Sequence, residues 1–150
     1  MKKYFLLVFF LFFSLTAVNA TEEVLVAYWN FDECSGSIAN DATGNGNTGT
    51  LKNGVSWTND GISGCAVHFD GIDDIIEVTE TATTELRDQV RIEGWIKRDA
   101  LGDDTILQKH FLYFIDVENN KLRGGVYTHD VQVVRGSTLL EVGQWYHVAI

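Results

Sequence analysis

The chain has 150 residues, of which 21 are acidic and 11 are basic, and its formal net charge is −10 at pH 7. This length accommodates one domain of ordinary size but not two. The negative charge, without any basic cluster to offset it, argues against nucleic acid or anionic lipid as a partner.

The first 20 residues have the pattern of a secretory signal peptide. Lys2 and Lys3 form a basic start, residues 4–13 are an apolar run of 10 residues, and small side chains favour cleavage after Ala20. The alternative is a membrane anchor, but a spanning helix needs roughly 18–20 apolar residues. We therefore expect residues 21–150 to be a secreted or extracellular domain (or a periplasmic or cell-surface one), with no membrane insertion after cleavage.

Short alternating segments then follow one another along the chain. Residues 24–31 alternate apolar and other side chains, which indicates a strand with a bulky aromatic face. Turn signals, among them Asn119-Asn120 and Gly136-Ser137, separate the later segments. Only residues 80–88 have helical character. Further strands are predicted at residues 55–58, 65–69, 75–79, 89–97, 105–109, 111–118, 121–127, 131–135 and 145–150. Such a succession predicts an all-β fold, an antiparallel sandwich or barrel.

Cys34 and Cys65 are the only cysteines in the chain. In an exported protein, two cysteines are expected to form a disulfide. The alternative, a metal-binding pair, lacks the further Cys or His at ligand spacing that zinc requires.

Residues 35–54 form a loop rich in Gly and Asn, with almost no apolar content. Glycine and asparagine tolerate positive φ, so such a loop can turn backbone carbonyls inward. The side-chain oxygens of Asp41, Asn45 and Asn47 suit a hard cation such as calcium, although the spacing is not that of an EF-hand. The alternative is a plain turn.

Residues 68–78 are typical of a strand, an acidic tight turn and a second strand. Asp70, Asp73 and Asp74 place three carboxylates within five residues. Such a turn is either solvated or part of an oxygen-rich cation site.

Five motifs together resemble laminin-G-like, concanavalin A-like modules. The first is AYWNFDE at residues 27–33, followed by Ser35-Gly36, and the second is the loop DATGNGNTG at residues 41–49. The others are residues 64–78, which contain FDGIDD, residues 90–97 (VRIEGWIK) and residues 144–149 (QWYHVA). The resemblance implies a β-sandwich of the concanavalin A-like jelly-roll type. It also implies that residues 21–150 lack the domain's last strands, because in the family the final motif is followed by further strands.

The resemblance implies one structural calcium ion that orders the loops. Its expected ligands come from the Asn-rich loop on one side and from the acidic turn and the end of the first strand on the other: Asp41, Asn45, Asn47, Asp70, Asp73 and Asp32.

The same fold hosts β-glucanases, whose catalysis requires paired carboxylates on one strand face. The nearest match is Asp116 and Glu118, but Phe114 occupies the position of the leading Glu, and the pair runs directly into a turn. No Ser/His/Asp set is identifiable either. We therefore expect no catalytic activity.

The expected function is a non-catalytic binding or adhesion module, with glycan as the favoured ligand. Trp57, Tyr113 and Tyr127 are the candidate stacking platforms, although each residue has packing as its alternative role. The competing interpretation is a protein-interaction or spacer domain of a larger extracellular protein, which the fold alone does not distinguish.

Overall fold

The computed structural model describes residues 5–17, 20–79, 81–86, 89–127 and 129–150, with side chains from residue 24 onward. Within these ranges the chain is all-β, with one short 3-10 turn and no α-helix. None of the described residues forms a helix with the length and apolarity needed to cross a membrane. The elements are β1 (Phe5–Ala17), β2 (Ala20–Trp29), β3 (Ile38–Ala39), β4 (Gly49–Lys52), β5 (Ser56–Thr58), β6 (Ala66–Phe69), β7 (Ile75–Val78), the 3-10 turn Ala82–Thr84, β8 (Arg91–Arg98), β9 (Asp104–Lys109), β10 (Tyr113–Glu118), β11 (Lys121–Tyr127), β12 (Val131–Leu139) and β13 (Trp145–Ala149).

These strands pair antiparallel in three sheets. The first sheet has the order β13-β8-β1-β6-β5, and β2 pairs with β1 beside it. The second sheet has the order β12-β11-β10-β9, and the third has the order β3-β4-β7. Buried side chains from all three sheets form one hydrophobic cluster. The arrangement confirms the predicted all-β antiparallel class and is compatible with a β-sandwich.

The alternation that predicted the strands also forms the core. In β8, Ile92 and Ile96 are fully buried, whereas Glu93, Trp95 and Lys97 between them are half-buried. Successive side chains of a strand point to opposite faces, so one face of β8 lies against the core.

Strand β1 lies within the residues expected to be a signal peptide. It pairs with β2, β6 and β8 at the centre of the first sheet. The structure describes the chain with these residues present, and their removal stays a prediction.

Two sequence interpretations were wrong. The loop predicted at residues 35–54 contains strands β3 and β4, which pair with each other and join β7. The turn predicted at Gly136-Ser137 is part of β12, which continues to Leu139. Of the stretch with helical character, the described residues form only a 3-10 turn, and residues 80, 87 and 88 lie outside the described ranges.

The hairpin predicted at Asn119-Asn120 is confirmed. Both residues have positive φ, 52° and 60°, and they join β10 to β11. Positive φ at both central residues is the backbone conformation that favours two-residue hairpins, and asparagine tolerates it better than most residues do.

Arg98, at the end of β8, is a fully buried cation. Its guanidinium donates to Asp104 Oδ2 (2.8 Å), and to the carbonyls of Gly102 and Leu140. A longer bond of 3.3 Å reaches Asn120 Oδ1 in the β10–β11 hairpin. These partners lie just before β9 and at its first residue, between β10 and β11, and after β12, so Arg98 connects the first sheet to the second.

Replacing Arg98 with alanine is expected to lower the free energy of unfolding by roughly 3–5 kcal/mol, because Asp104 and the carbonyls then lose a buried partner. The matched control is Arg91→Ala, on the same strand, whose side chain is 49% exposed and whose pair with Glu93 is expected to be worth about 1 kcal/mol. Urea unfolding of the variants measures both values. Similar losses in both variants would contradict the structural role of Arg98.

Candidate functional site

The carboxylate of Asp41 organises the Asn-rich loop. Its Oδ1 accepts hydrogen bonds from the backbone N–H of Tyr28 (3.1 Å) and from the backbone N–H and hydroxyl of Thr43 (3.0 and 2.6 Å). Its Oδ2 accepts from the backbone N–H of Asn47 (3.0 Å). Both oxygens are therefore engaged within the protein, and Asp41 fastens the loop to β2.

Asn45 and Asn47 fasten the same loop to the same strand. Their side-chain amides donate to the carbonyl of Val26 at 3.0 and 2.9 Å. Asn47 is fully buried, its side-chain oxygen accepts from the hydroxyl of Thr81 (2.7 Å), and its carbonyl accepts from Trp29 Nε1 (2.7 Å). These three polar side chains, selected from the sequence as cation ligands, bind the backbone of β2 and its surroundings in the structure.

The environment of Asp41 lowers the pKa of its carboxyl group below the ordinary 3.8. Partial burial acts to raise the pKa, but the hydrogen bonds from Thr43, Asn47 and Tyr28 together outweigh it. A carboxylate that accepts several hydrogen bonds is stabilised in its charged form. Its contribution to stability is therefore present above about pH 3.8 and is lost as the pH falls through the folded-state pKa.

The acidic turn brings three carboxylates together. One oxygen from each of Asp70, Asp73 and Asp74 lies within 4.8 Å of the others. Asp74 Oδ2 accepts from the backbone N–H of Asp70 (2.7 Å), whereas its buried Oδ1 has no donor among the described residues. None of the three forms an ion pair with a described residue, so their mutual repulsion is not offset by a basic side chain.

The six expected calcium ligands do not form one group. Among the described residues, Asp70, Asp73 and Asp74 are the only cluster of three acidic, His or Cys side chains, and Asp32 and Asp41 are not members of it. Asp32 is exposed and accepts from the Asn30 amide (2.8 Å). Sequence reasoning noted Asp74 in the acidic turn but did not include it among the ligands.

Cys34 and Cys65 form the predicted disulfide, with their Cα atoms 5.5 Å apart. The bond joins the segment after β2 to the start of β6. It therefore connects two parts of the chain that lie on either side of the Asn-rich loop in sequence.

A cleft of about 950 Å³ lies between β7 and β9. Each of these strands is at the end of its sheet, and their residues line the cleft together with aromatic side chains from the core. The aromatic lining comprises Trp29, Phe31, Phe69 and Tyr113, and the acidic lining comprises Asp73, Asp74, Asp103 and Asp104. A concave apolar surface with a few polar groups is the usual form of a small-ligand site.

Two of the three predicted stacking aromatics are packed in the protein. Tyr113 is 2% exposed and its hydroxyl donates to the carbonyl of Thr84 (3.0 Å). Burial, with a smaller contribution from Glu85, raises the pKa of Tyr113 to about 12. Trp57 is half-buried, packs edge-on against Phe31, and donates to the carbonyl of Gly36 (2.7 Å). Tyr113 is therefore buried away from the surface, whereas a stacking role for the half-buried Trp57 stays a prediction.

The third, Tyr127, belongs to an aromatic group that sequence reasoning missed. The ring of Phe111 lies edge-on to the ring of Tyr127, with the ring centroids 6.3 Å apart. The centroids of the Phe111 and His110 rings are 3.9 Å apart. We call His110, Phe111 and Tyr127 the aromatic patch. Phe111 is 69% exposed and has a φ of 56°, which is rare for a residue other than glycine. The sequence signal that could have identified this patch is an aromatic residue, Phe111, in the short connection between the alternating strands β9 and β10.

The acidic pair considered for catalysis is neutralised by an arginine. Arg123, on β11, binds Asp116 through Nε (2.9 Å) and binds Glu118 through Nη1. The hydrogen bond to Asp116 is the main cause of a raised pKa at Arg123, so the guanidinium stays charged. Both carboxylates are therefore held in ion pairs with Arg123.

In comparisons with known proteins, no family model, no curated protein and no solved structure matched the chain. The laminin-G-like resemblance therefore stays a prediction, and the candidate site is defined by the geometry of this chain alone.

Replacing Asp41 with alanine is expected to cost about 2 kcal/mol or more, because three backbone N–H groups and a hydroxyl lose their acceptor. The difference from the unsubstituted protein should shrink as the pH falls below about 3.8, where the carboxylate becomes protonated. Urea unfolding between pH 2.5 and 7 measures both effects.

The control for this substitution is Asp60→Ala, because the Asp60 side chain is 72% exposed and its ion pair among the described residues is with Lys97. Its expected cost is at most about 1 kcal/mol. An equal cost for the two substitutions would show that the Asp41 contacts do not stabilise the loop.

Proposed function

We propose that the chain is a non-catalytic, secreted binding module of the concanavalin A-like jelly-roll type, and that its ligand is a glycan. The observation that carries this proposal is the aromatic patch, in which an exposed phenylalanine is held in an unfavourable backbone conformation beside a half-buried tyrosine. Strained backbone at an exposed position is a reason to suspect function.

The chemistry of the patch suits a sugar ring. A pyranose has one face of C–H groups, which packs against an aromatic ring, and an edge of hydroxyls, which needs polar partners. His110 belongs to the patch and also lines the cleft between β7 and β9, as do several carboxylates. Carboxylate oxygens accept hydrogen bonds from sugar hydroxyls, so the two surfaces together offer both kinds of contact.

The negative charge of the protein restricts which glycans can bind. The chain carries a net charge of −10, and four aspartates line the cleft. Anionic polysaccharides would be repelled by this field, whereas neutral sugars would not be affected. The proposed ligand is therefore a neutral glycan.

One observation supports a binding role over catalysis, and a second supports export. Asp116 and Glu118 are paired with Arg123, and their strand ends in the hairpin at Asn119. The disulfide is compatible with an oxidising compartment, as export requires.

The test is retention of the protein on immobilised neutral oligosaccharides. Phe111→Ala and Tyr127→Ala are each expected to weaken binding on the order of tenfold, because a lost aromatic contact is worth about 0.5–1.5 kcal/mol beyond its area. Ile72→Ala is the matched control, since Ile72 is also 69% exposed but lies in the acidic turn. Equal weakening by Ile72→Ala, or no retention on any neutral glycan, would contradict the proposal.

A structural calcium ion belongs to the same proposal, with a revised set of ligands. Asp70, Asp73 and Asp74 offer three oxygens within 4.8 Å and have no basic partner among the described residues. Calcium takes six to eight oxygen ligands, so backbone carbonyls and water would complete the shell. The ion would hold the acidic turn and would perform no chemistry.

Calcium at a hundredfold excess over its Kd is expected to stabilise the folded protein by about 2.7 kcal/mol. Asp73→Asn, at an exposed position, should remove this effect, whereas Asp60→Asn should preserve it. Thermal unfolding with calcium and with chelator measures the difference. If calcium still stabilised the Asp73→Asn variant, the ion would bind outside the acidic turn, which would contradict this proposal.

The alternative function is a protein-interaction or spacer domain, and β12 favours it. All nine residues of β12 are exposed, among them Val131, Val134 and Leu139, and the strand forms one edge of its sheet. Such an edge can pair with a strand of another chain. Loss of a protein partner on Val134→Lys, with glycan retention unchanged, would support this function over glycan binding.

A further inference from the structure

The turn between β4 and β5 has asparagine and glycine at its tip. The backbone N–H of Val55 donates to the carbonyl of Lys52 (3.4 Å), and Asn53 and Gly54 between them have φ values of 64° and 125°. Positive φ at both central residues of a turn favours the pair Asn-Gly, because asparagine tolerates this conformation and glycine adopts it freely. The backbone of the turn therefore accounts for this dipeptide.

Glycine is favoured at the second position for a further reason. A Cβ atom at residue 54 would lie 2.8 Å from Oδ1 of Asp74, which is closer than side chains normally approach. The other oxygen of Asp74 accepts from the backbone N–H of Asp70 (2.7 Å), so this carboxylate is held in place by the acidic turn. A side chain at residue 54 would thus strain the backbone and displace Asp74, and the fold keeps glycine directly after Asn53.

An Asn-Gly dipeptide is chemically reactive, because glycine has no side chain to hinder the approach of its backbone nitrogen to the asparagine amide. In the reaction, the nitrogen of Gly54 forms a bond to Cγ of Asn53. The bond between Cγ and Nδ2 breaks, and the amide nitrogen leaves as ammonia with the proton that the Gly54 nitrogen loses. Water then opens the resulting cyclic imide at either carbonyl carbon, which gives aspartate or isoaspartate. Water is the only co-reactant.

The chain contains two Asn-Gly dipeptides, and the structure distinguishes them. Asn45 and Asn53 are both exposed, so the difference lies in what their amides bind. The Asn45 amide donates to the carbonyls of Leu25 (3.2 Å) and Val26 (3.0 Å). The Asn53 amide donates to a single carbonyl among the described residues, that of Asp73 (2.9 Å). Reaction at Asn53 therefore has to break fewer hydrogen bonds than reaction at Asn45.

The product of the reaction would change the contact between the two turns. The amide that donates to Asp73 would become a carboxylate, so the hydrogen bond would be lost and two oxygens would face each other. Its charge would add to those of Asp70, Asp73 and Asp74, whose oxygens already lie within 4.8 Å of one another. Like charges at such distances repel. Isoaspartate would also add a backbone methylene to the turn.

We propose that Asn53 is a site of spontaneous deamidation in the folded protein, and that the product releases the acidic turn from the β4–β5 turn. Asn53, Asp73 and Asp74 also line the cleft between β7 and β9, so the reaction adds a carboxylate to the wall of the cleft. The modified protein is a second form of the molecule, with a looser and more acidic end to its cleft. The proposal is independent of glycan and calcium binding.

The first measurement compares the two dipeptides within one molecule. The protein is incubated at mildly alkaline pH with chelator, either folded or in urea, and mass spectrometry of proteolytic peptides detects replacement of NH2 by OH at each asparagine. In the folded protein, Asn53 is expected to react roughly threefold to tenfold faster than Asn45, because at least one more hydrogen bond must break at Asn45. In urea the two rates should be similar, since neither amide is then held.

The second measurement follows hydrogen exchange of residues 70–74. Exchange should be roughly threefold to tenfold faster in Asn53→Asp, which has lost the hydrogen bond to Asp73, than in the unsubstituted protein. The matched control is Gln132→Glu, which makes the same chemical change on the exposed strand β12 and should leave this exchange unaltered. Asn53→Gln forms the corresponding cyclic imide less readily, so its exchange should stay slow after incubation.

Two results would overturn the site itself: equal rates at Asn45 and Asn53 in the folded protein, or reaction at Asn53 in urea alone. Unchanged exchange of residues 70–74 in Asn53→Asp, or an equal change in Gln132→Glu, would overturn its effect on the acidic turn. If Asn53→Asp does not fold, the incubated unsubstituted protein gives the same comparison. Because chelator is present throughout and no glycan is added, these results do not depend on either ligand.

Discussion

The carboxylate of Asp41 joins β2 to the Asn-rich loop that follows it, through hydrogen bonds to both segments. They hold β2 against a loop of glycine and asparagine that has little apolar surface of its own. On the strand held in this way, Ala27 and Trp29 are buried in the core. The buried guanidinium of Arg98 then connects that sheet to the hairpin at Asn120. A partly buried carboxylate and a fully buried guanidinium thus connect segments that are distant in sequence.

Much of the fold was predictable from local pattern. The alternation of β8 and β10 and the Asn119-Asn120 turn follow from backbone preferences that act over a few residues, and the disulfide follows from the count of cysteines. The short strands β3 and β4 were not predictable, because they are only two and four residues long, too short for a clear alternation, and they are defined by pairing with each other and with β7.

The candidate site was less predictable, because it depends on which faces of the strands meet. Tyr113 and Tyr127 have similar sequence surroundings, yet one is buried against Thr84 and the other belongs to the exposed patch. Likewise, Asp41 and Asp73 both lie in polar turns, but only Asp41 is engaged by backbone N–H groups. Whether a side chain is exposed, and whether its polar atoms are hydrogen-bonded, depends on packing between segments that are distant in sequence. The local pattern of a single sequence does not give this information.

The exposure of β12 has a consequence for the physical behaviour of the protein in solution. The strand contains valines at three positions, a single basic residue, Arg135, and no lysine or proline that would discourage growth of the sheet. At neutral pH the net charge of −10 keeps molecules apart. As acidification protonates the carboxylates, the electrostatic repulsion between molecules decreases, while β12 stays exposed and able to pair with another strand. The protein should therefore associate most readily near its isoelectric point of about 4.6, through sheets that extend edge to edge at β12.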